Sequence, residues 1–194
     1  MSQACRSLAD TGEIEHYAAG LTRFLAGEMD AERFTALRLQ MGIYGQRQAG
    51  VNMVRVKLPG GNFTRTQLTA IGDALEKFSQ QNHVHVTTRQ DIQMHFVPLE
   101  KTPEVLRTLA ASGLTSREAC GNTLRNMTSC AFAGVCVAEQ TDVNTHIDAA
   151  VRHFLRNPLN QQLPRKMKFS FSGCEQDCAQ GMIHDVAVIA RYQK

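Results

Sequence analysis

The sequence predicts an α/β (α+β) chain in which helices and strands alternate along most of its length. Three observations lead to this fold class. Apolar residues recur at helical spacing between residues 13 and 40, a strand–helix–strand–helix order runs from 51 to 113, and the remainder combines glycine-flanked cysteine loops with a helix and two strands. A mixed order of this kind is typical of a small sheet covered by helices.

The N-terminal segment, residues 1–44, is predicted to be helical. Its first helix spaces its apolar side chains three and four residues apart and ends near Gly27. Asp30 is a suitable N-cap for a second helix, and the glycines of "GIYGQRQAG" then interrupt the helical pattern. The apolar positions of the first helix are Ile14, Tyr17, Leu21 and Leu25.

Residues 45–113 are predicted to form a second domain of two strand–helix pairs. Val51 to Leu58 alternate and are rich in β-branched residues, which is typical of a strand. Thr64 can cap the helix that follows, and "HVHVTTRQDIQMHFVPL" predicts one or two short strands around a polar turn. A last helix has Pro103 in its first turn and Gly113 at its end. The helix after Thr64 is expected to present one apolar face formed by Leu68, Ile71, Leu75 and Phe78.

Residues 114–194 are predicted to form a third segment built around cysteine loops. "VNTHIDAAVRHFLRN" predicts a helix that stops before Pro158, and "RKMKFSFSG" predicts a strand. "HDVAVIARY" predicts a buried strand that reaches almost to the last residue. The chain is therefore expected to stop where the full fold continues.

Composition and charge limit the classes of function. The net charge of +3 is too small to indicate nucleic-acid binding by bulk charge, although a local anion site remains compatible with it. No run of 18 apolar residues predicts a membrane span, and the polar N-terminus lacks the apolar stretch of a signal peptide. The chain is predicted to be cytoplasmic, where thiols stay reduced and grouped cysteines indicate metal or redox chemistry.

Four of the cysteines fall into two groups, Cys130 with Cys136 and Cys174 with Cys178. Thiolates suit either tetrahedral zinc or an iron–sulfur cluster. The gap of five residues in the first pair is wide for a zinc knuckle, so the spacing favours a cluster over zinc without excluding zinc. Cys5 and Cys120 are interpreted as small buried apolar residues.

Basic side chains accompany these loops in sequence. Arg55 and Lys57 share one face of a predicted strand, and Lys166 and Lys168 share one face of another. Arg125 stands five residues before the first cysteine loop, and Arg89 adds a further cation. Solvated surface charge explains any one of them, but cations beside a redox cofactor can also hold an anionic substrate or the carboxylates of a cofactor.

The order of these motifs resembles the sulfite/nitrite reductase hemoprotein family over residues 33–194. The matching stretches are "VRVKLPGG", "TTRQDIQMH", "GNTLRNMTSC" with C-x5-C, "LPRKMK" and "SGCEQDC". The resemblance implies a ferredoxin-like half-domain followed by a mixed α/β domain that binds siroheme and a [4Fe–4S] cluster. It also implies six-electron reduction of sulfite to sulfide, or of nitrite to ammonia, with electrons passing through the cluster to the siroheme.

Residue roles follow from the same resemblance. The cluster ligands are expected to be Cys130, Cys136, Cys174 and Cys178, of which Cys178 also bridges to the siroheme iron. The cations on the substrate side are expected to be Arg55, Arg125, Lys166 and Lys168. The residues that bind siroheme carboxylates are expected to be Thr87, Thr88, Arg89, Gln93 and His95, with Asn126 in the same shell.

In "LPRKMK", the second of the two lysines that share one strand face, Lys168, favours one substrate. Plant-type nitrite reductases resemble this motif but tend to carry Asn where this chain has Lys168. The sequence therefore favours sulfite, with nitrite as the alternative.

The resemblance also implies partners. Full-length members pair two pseudo-repeated halves, so a second half-domain, another subunit or a second copy of the chain is expected. No flavin or nicotinamide fingerprint is present, so electrons are expected from a separate ferredoxin or flavoprotein. The competing hypotheses are an iron–sulfur module that only carries electrons and a zinc-bound structural module.

Overall fold

The structure, a computed structural model, describes residues 7–192 of the chain, so Cys5 lies outside the described part. These residues form two compact units. The first unit contains residues 7–57, 63–87 and 92–121, and the second contains residues 58–62, 88–91 and 122–192. The division at residues 44 and 113 stays a prediction.

Two helices of the first unit begin at the predicted capping residues, Asp30 and Thr64. Asp30 accepts a hydrogen bond from Arg33 N at 2.8 Å, which satisfies an N–H group that the helix itself leaves unpaired. Thr64 and Gln67 form a capping box, with hydrogen bonds of 2.8 and 3.2 Å between the side chain of each and the backbone N–H of the other. The helices are α1 (Thr11–Leu25), α2 (Ala31–Gln40), α3 (Arg65–Phe78) and α4 (Thr102–Ala111).

The predicted apolar face of α3 is only partly buried. Leu68, one of its four residues, is 50% exposed. The buried stripe passes instead through Gln67, Ile71 and Ala74, whose spacing of four and three residues follows one helical face. Gln67 occupies that stripe because its amide closes the capping box.

The first unit contains a four-stranded antiparallel sheet in the order β1-β2-β4-β3. Alternation sorts its side chains between two faces. Val54 and Met94 are opposite each other and fully buried, whereas the next cross-strand row joins Arg55, Gln93 and His85 on the other face. The strands are β1 (Ile43–Gly45), β2 (Val51–Val56), β3 (Val84–Val86) and β4 (Ile92–Pro98).

A β-bulge interrupts β4 at His95 and Phe96. The register passes from Val54–Met94 to Asn52–Val97, so two residues of β4 stand opposite one residue of β2. Phe96 adopts a left-handed conformation with φ of 56°. Its N–H donates to Gln46 Oε1 at 2.6 Å, which replaces the ladder bond that the bulge removes.

The second unit contains a three-stranded parallel sheet in the order β5-β6-β7. Helix α5 (Val143–Phe154) connects β5 (Thr128–Ser129) to β6 (Phe169–Ser172), and it buries Ile147 and Val151. The strand predicted from "RKMKFSFSG" is present in its second half. β7 (Val186–Ile189) is the last strand of the sheet.

The prediction that β7 is buried is wrong. Val188 is 44% exposed and Ala187 is exposed, although an apolar run in a parallel sheet is normally covered on both faces. β7 stands at the edge of the sheet, and among residues 7–192 no further strand pairs with its outer side. None of the helices in this part of the chain is both long and apolar enough to cross a membrane.

A buried hydroxyl pair links α1 to the start of α4. Thr102 Oγ1 donates to Leu99 O at 2.7 Å, so Tyr17 Oη is the donor in the 2.8 Å hydrogen bond between the two hydroxyl groups. Burial raises the pKa of Tyr17 to about 12. Tyr17 is fully buried, so its hydroxyl has no access to bulk water.

We expect Tyr17→Phe to lower the free energy of unfolding by roughly 1–2 kcal/mol, because Thr102 Oγ1 keeps its buried position and loses its donor. Urea denaturation followed by circular dichroism measures the change. Tyr192→Phe is the matched control, since Tyr192 is 75% exposed. An equal response of both variants would contradict the structural role of this hydrogen bond.

Candidate functional site

The two cysteine loops begin at the carboxyl ends of neighbouring parallel strands. β5 ends directly before Cys130, and β6 ends two residues before Cys174. Ser129 pairs with Phe171 in the ladder, and Cys130 N donates to Phe171 O at 2.9 Å. Because parallel strands point the same way, both loops leave the same edge of the sheet.

Further hydrogen bonds hold the first loop against the second. Gln140 N, just beyond the C-x5-C segment, donates to Gly173 O at 2.7 Å. Glu139 Oε2 accepts from Gly134 N at 2.7 Å and so closes the first loop on itself. A side chain at Gly173 would place its Cβ 2.9 Å from Glu139 Cγ, so glycine permits this close approach.

The second loop is organised by Asp177. One carboxylate oxygen accepts from Ser172 Oγ at 2.7 Å, and the other accepts from Gly181 N at 2.7 Å. Asp177 has a left-handed backbone with φ of 49°. These bonds bend the chain around Cys178 and return it toward β7.

Exposure differs among the four thiols. Cys130 and Cys174 are buried, Cys136 is half-buried and Cys178 is exposed. Burial raises the pKa of Cys130. The neighbouring thiols of Cys178 and Cys136 raise this pKa further. The Phe132 N–H donates to Cys130 Sγ at 3.4 Å and thereby lowers it. These three side chains therefore lie close enough to interact. Within residues 7–192, no three or more Cys, His, Asp or Glu side chains surround a single metal-ion position, and the assignment of the four cysteines to one cluster stays a prediction.

Three of the predicted substrate-side cations lie on adjacent chain segments of the second unit. Leu124 and Met167 form a parallel bridge, in which Arg125 N donates to Met167 O at 2.9 Å. Because neighbouring residues alternate between faces, Arg125, Lys166 and Lys168 project to the face opposite Met167. This bridge precedes β5 and β6, so the cations stand at the amino ends of the strands whose carboxyl ends lead to the cysteines.

Arg89, one of the predicted carboxylate-binding residues of the second unit, is half-buried. Its Nη2 donates to Asn126 O and, at 3.2 Å, to Phe169 O, and its Nη1 contacts His184 Nε2. Burial lowers the pKa of Arg89; the Asp91 and Asp185 carboxylates raise it, and the charge of Arg125 lowers it. Thr88, directly before it, is exposed.

Gln90 was not predicted as a site residue, yet it stabilises the start of the first cysteine loop. Its Nε2 donates to Ser129 O and its Oε1 accepts from Ser129 N, both at 2.8 Å. The amide therefore pairs with the edge of β5 as another strand would, one residue before Cys130. Gln90 has a φ of 55°. Its position in "TTRQ", next to Arg89, was the available sequence signal.

Asn126 has a buried amide that joins three backbone segments. Its Nδ2 donates to Leu58 O at 2.6 Å, to Arg89 O at 2.9 Å and to Gln90 O at 3.2 Å. The Nδ2 group is thus committed to backbone carbonyls, while Oδ1 is buried without a hydrogen-bond partner. The prediction that Asn126 belongs to the siroheme shell stays a prediction, and Oδ1 is the atom of this amide that can accept from a bound group or water.

Arg55 lies in the first unit and is held by three neighbours. With the Gln93 amide oxygen turned toward the guanidinium, Oε1 accepts from Nε at 3.1 Å and from Nη2 at 2.7 Å. Arg55 Nη1 donates to Ala119 O at 3.0 Å, and the guanidinium carbon lies 5.9 Å from the centre of the Tyr44 ring. Sequence reasoning named Arg55 and Gln93 but missed Tyr44.

His95 stands beside two other histidines on the first unit. Its ring centre is 4.6 Å from that of His85, which is 5.5 Å from that of His83. Burial lowers the pKa of His95, and the nearby charges of His85, His83 and Arg55 lower it further. His95 is half-buried, as is Thr87, another of the predicted site residues.

The comparisons with known proteins show the family of the chain. Residues 44–112 match the nitrite/sulfite reductase ferredoxin-like half domain, and residues 120–194 match the nitrite and sulphite reductase 4Fe-4S domain. The chain belongs to the nitrite and sulfite reductase family. The cofactors of this family are siroheme and a [4Fe–4S] cluster, as the resemblance implied. The predicted fold class is confirmed.

Relatives with both substrate names occur at similar identity. An assimilatory ferredoxin-dependent nitrite reductase of Haloferax mediterranei is 31% identical over 158 residues, which cover 76% of this chain and 27% of that protein. A ferredoxin sulfite reductase of Mycobacterium tuberculosis is 32% identical over 165 residues, which cover 76% of this chain and 29% of the relative. The substrate is therefore not decided by these relatives.

Solved structures support the fold. The NirA protein of Mycobacterium tuberculosis superposes with a TM-score of 0.74 at 26% identity, covering 90% of this chain and 37% of that chain. Dissimilatory sulfite reductase I superposes with a TM-score of 0.62 at 18% identity, covering 96% of this chain and 52% of the other, and shows the fold alone. The chain thus spans little more than a quarter of the length of the curated relatives described above.

The chemistry of the side chains present fits both cofactors. Four thiols at one sheet edge provide the ligand type and number that a [4Fe–4S] cluster requires. Siroheme carries eight carboxylates, and the second unit offers Arg89, Arg125 and two lysines to anions. The orphaned Oδ1 of Asn126 is a further polar atom without a protein partner.

We expect Gln90→Glu to reduce retention of the iron–sulfur cluster and to lower the free energy of unfolding by roughly 1–3 kcal/mol. The substitution keeps the shape of the side chain but replaces the donor that faces Ser129 O with an acceptor. Iron and acid-labile sulfide per chain after anaerobic reconstitution, together with urea denaturation, measure the effect. Gln80→Glu, at an exposed position of the first unit, is the control; equal cluster content in both variants would contradict the role of Gln90.

Proposed function

We propose that this chain is the catalytic half, or a fragment, of a reductase that converts sulfite to sulfide in six electron transfers. The observation that carries the proposal is the parallel pairing of β5 with β6, which brings both cysteine loops to one sheet edge and three of the predicted cations, Arg125, Lys166 and Lys168, to adjacent segments. When bound, the siroheme and the cluster supply the redox chemistry, because protein side chains alone cannot store and deliver the electrons. The side chains of this protein perform three further tasks: they ligate the cluster, hold the oxyanion and bind the siroheme carboxylates.

The first task is to ligate the cluster. We assign this role to Cys130, Cys136, Cys174 and Cys178, of which Cys178 would also contact siroheme. The effect of the Cys136 and Cys178 thiols on the pKa of Cys130 supports the proximity of these two side chains to Cys130. The exposure of Cys178 leaves its sulfur accessible to a second bonding partner.

The second task is to hold an oxyanion while negative charge grows on its oxygens. We assign it to Arg55, Arg125, Lys166 and Lys168. Arginine offers a planar and permanently charged pair of donors, whereas a lysine ammonium can also give up a proton as an oxygen leaves as water. Lys166 is exposed and Lys168 is half-buried, so both can exchange protons with solvent.

The third task is to bind the carboxylates of siroheme. We assign it to Thr87, Thr88, Arg89, Gln93 and His95, with Asn126 in the same shell. The hydrogen bonds of Gln93 to Arg55 suggest that one amide both orients a substrate-side cation and contributes to cofactor binding. Asn126 supports the Arg89 segment through its bond to Arg89 O.

Lys168 favours sulfite over nitrite on electrostatic grounds. Sulfite can bind as a dianion, whereas nitrite is a monoanion, so an additional lysine stabilises bound sulfite more. Nitrite reduction to ammonia by the same residues is the alternative, and relatives carrying that name match equally well.

A second half-domain, subunit or copy is part of the proposal. Phe132, Val135 and Val137 in the first cysteine loop, and Met182 and Ile183 after the second, are between 58 and 106% exposed. Large apolar side chains exposed together indicate an interaction surface, and the exposed β7 points the same way. The electron donor is a separate protein, a ferredoxin or a flavoprotein, and the proposed location is the cytoplasm.

The proposal is tested by producing the full chain with siroheme available and purifying it without oxygen. We expect visible absorption from siroheme, about four irons per chain in addition to that of siroheme, and acid-labile sulfide. Cys178→Ser should abolish the electronic coupling between the two chromophores. Iron without siroheme would favour an electron-carrying module, and colourless protein with about one zinc per chain would favour a structural zinc module.

We expect Lys168→Asn to weaken sulfite binding by roughly 10- to 100-fold and nitrite binding by less, since a hydrogen bond to a charged group contributes about 1.5–3 kcal/mol. Shifts of the siroheme absorption during titration with each anion measure the two dissociation constants. Lys77→Asn, at an exposed helix position, is the control. Loss of siroheme in the Lys168 variant, or equal weakening for both anions, would contradict the assigned role.

A further inference from the structure

The turn between the second cysteine loop and β7 contains a histidine that none of the predicted roles includes. His184 follows the short helical turn Gly181–Ile183 and precedes Asp185. Its ring contacts the loop that carries Cys178 on one side and Arg89 on the other. It is half-buried, whereas the two residues before it are exposed.

The partners of the imidazole determine its tautomer. Nδ1 lies 2.8 Å from Gln180 O, and because a carbonyl oxygen only accepts, Nδ1 carries the proton. Nε2 then has a lone pair directed at Arg89 Nη1, which is always a donor. Thr128 Oγ1 is 3.5 Å from Nε2 and 3.2 Å from Phe169 O, so its proton has a closer acceptor elsewhere.

The same turn also contacts a predicted substrate-side lysine. Asp185 Oδ2 accepts from Lys168 N at 2.7 Å, and Asp185 N donates to Lys168 O at 3.1 Å. Residues 184 and 185 thus bind Arg89 through a side chain and Lys168 through its backbone. The charged groups that act on the Arg89 guanidinium are Asp91, Arg125 and Asp185.

Arg89 has acceptors at both ends of its guanidinium plane. Nη2 is directed to the carbonyl oxygens of Asn126 and Phe169, which fix one end of the guanidinium plane. His184 fixes the Nη1 end with a neutral acceptor, so this contact adds no compensating negative charge. A carboxylate at position 184 would also accept, but it would neutralise the charge that an anionic ligand requires.

We propose that His184 is a positioning residue that orients the Arg89 guanidinium for a carboxylate ligand and connects it to the loop bearing Cys178. The identity of that ligand as a siroheme carboxylate rests on the proposed function. The contact between His184 and Arg89 does not.

Two substitutions test the two hydrogen bonds of His184 independently, one to Arg89 and one to Gln180 O. Gln at this position can reach Arg89 with its amide oxygen, in the place of Nε2, while giving up the bond to Gln180 O. Asn can keep a donor near the place of Nδ1, while giving up the acceptor for Arg89. The positioning role therefore predicts that His184→Asn is the more damaging change, whereas a role limited to the loop predicts the reverse.

The first measurement is the siroheme dissociation constant of the full chain with its cluster assembled. We expect His184→Asn to weaken siroheme binding about tenfold, the lower end for a lost hydrogen bond to a charged group, and His184→Gln to weaken it less than about threefold. In an Arg89→Ala background, His184→Asn should have no further effect. Equal weakening by Asn and Gln, or full additivity with Arg89→Ala, would overturn the proposal.

The second measurement needs no cofactor. Nitrogen-15 NMR of the imidazoles in the full chain should show His184 protonated at Nδ1 and unprotonated at Nε2, with the Nε2 resonance shifting in Arg89→Lys. A His184 protonated at Nε2, or a resonance insensitive to residue 89, would overturn the proposal. If the chain binds no siroheme but the NMR result holds, the proposed function fails and the His184–Arg89 contact stands.

Discussion

The parallel pairing of β5 with β6 is the constraint on which the cysteine arrangement depends. The cysteine pairs are separated by 37 residues of sequence, and most of that distance is occupied by α5 and the segment that returns from it. Parallel strands require such a crossover, and they direct their carboxyl ends to the same edge. Two short loops at that edge can therefore supply four sulfurs without any long-range disulfide or covalent link. The hydrogen bonds Cys130 N to Phe171 O and Gln140 N to Gly173 O fix the loops relative to each other.

Side-chain amides form the hydrogen bonds that the backbone of this short sheet leaves unmade. β5 has only two residues, and its outer edge would leave the N–H and C=O of Ser129 without partners. Gln90 supplies both, and Asn126 joins the segments of residues 58–62 and 88–91 to the same unit. Amides suit this work because one group carries a donor and an acceptor without a charge that burial would penalise. The family signature around Arg89 thus serves structure as well as ligand binding.

Neutral groups contact the guanidinium groups of two predicted site residues, Arg55 and Arg89. Arg55 lies between Gln93, the carbonyl oxygen of Ala119 and the Tyr44 ring, and Arg89 lies between backbone carbonyls and His184. Neutral acceptors orient a guanidinium but leave its charge available to an anion, whereas a carboxylate partner would compensate it. This pattern is what a site for a polyanionic cofactor and an oxyanion substrate requires, and it agrees with the family to which the chain belongs.

Local sequence determined the helices, their caps, the order of the longer strands and the grouping of cysteines, because propensity, capping and alternation act over a few residues. The family motifs also identified the residues of the proposed site. Only the tertiary structure decided which strands are neighbours, that β7 is half exposed at an edge, that Leu68 lies outside the buried stripe of α3, and that Gln90, Tyr44 and His184 contact the predicted residues. The physical reason is the separation in sequence between the residues that make these contacts. The contacts of Gln90, Tyr44 and His184 join residues 11 or more apart in sequence, and no local pattern encodes a hydrogen bond whose partner lies on another strand or loop.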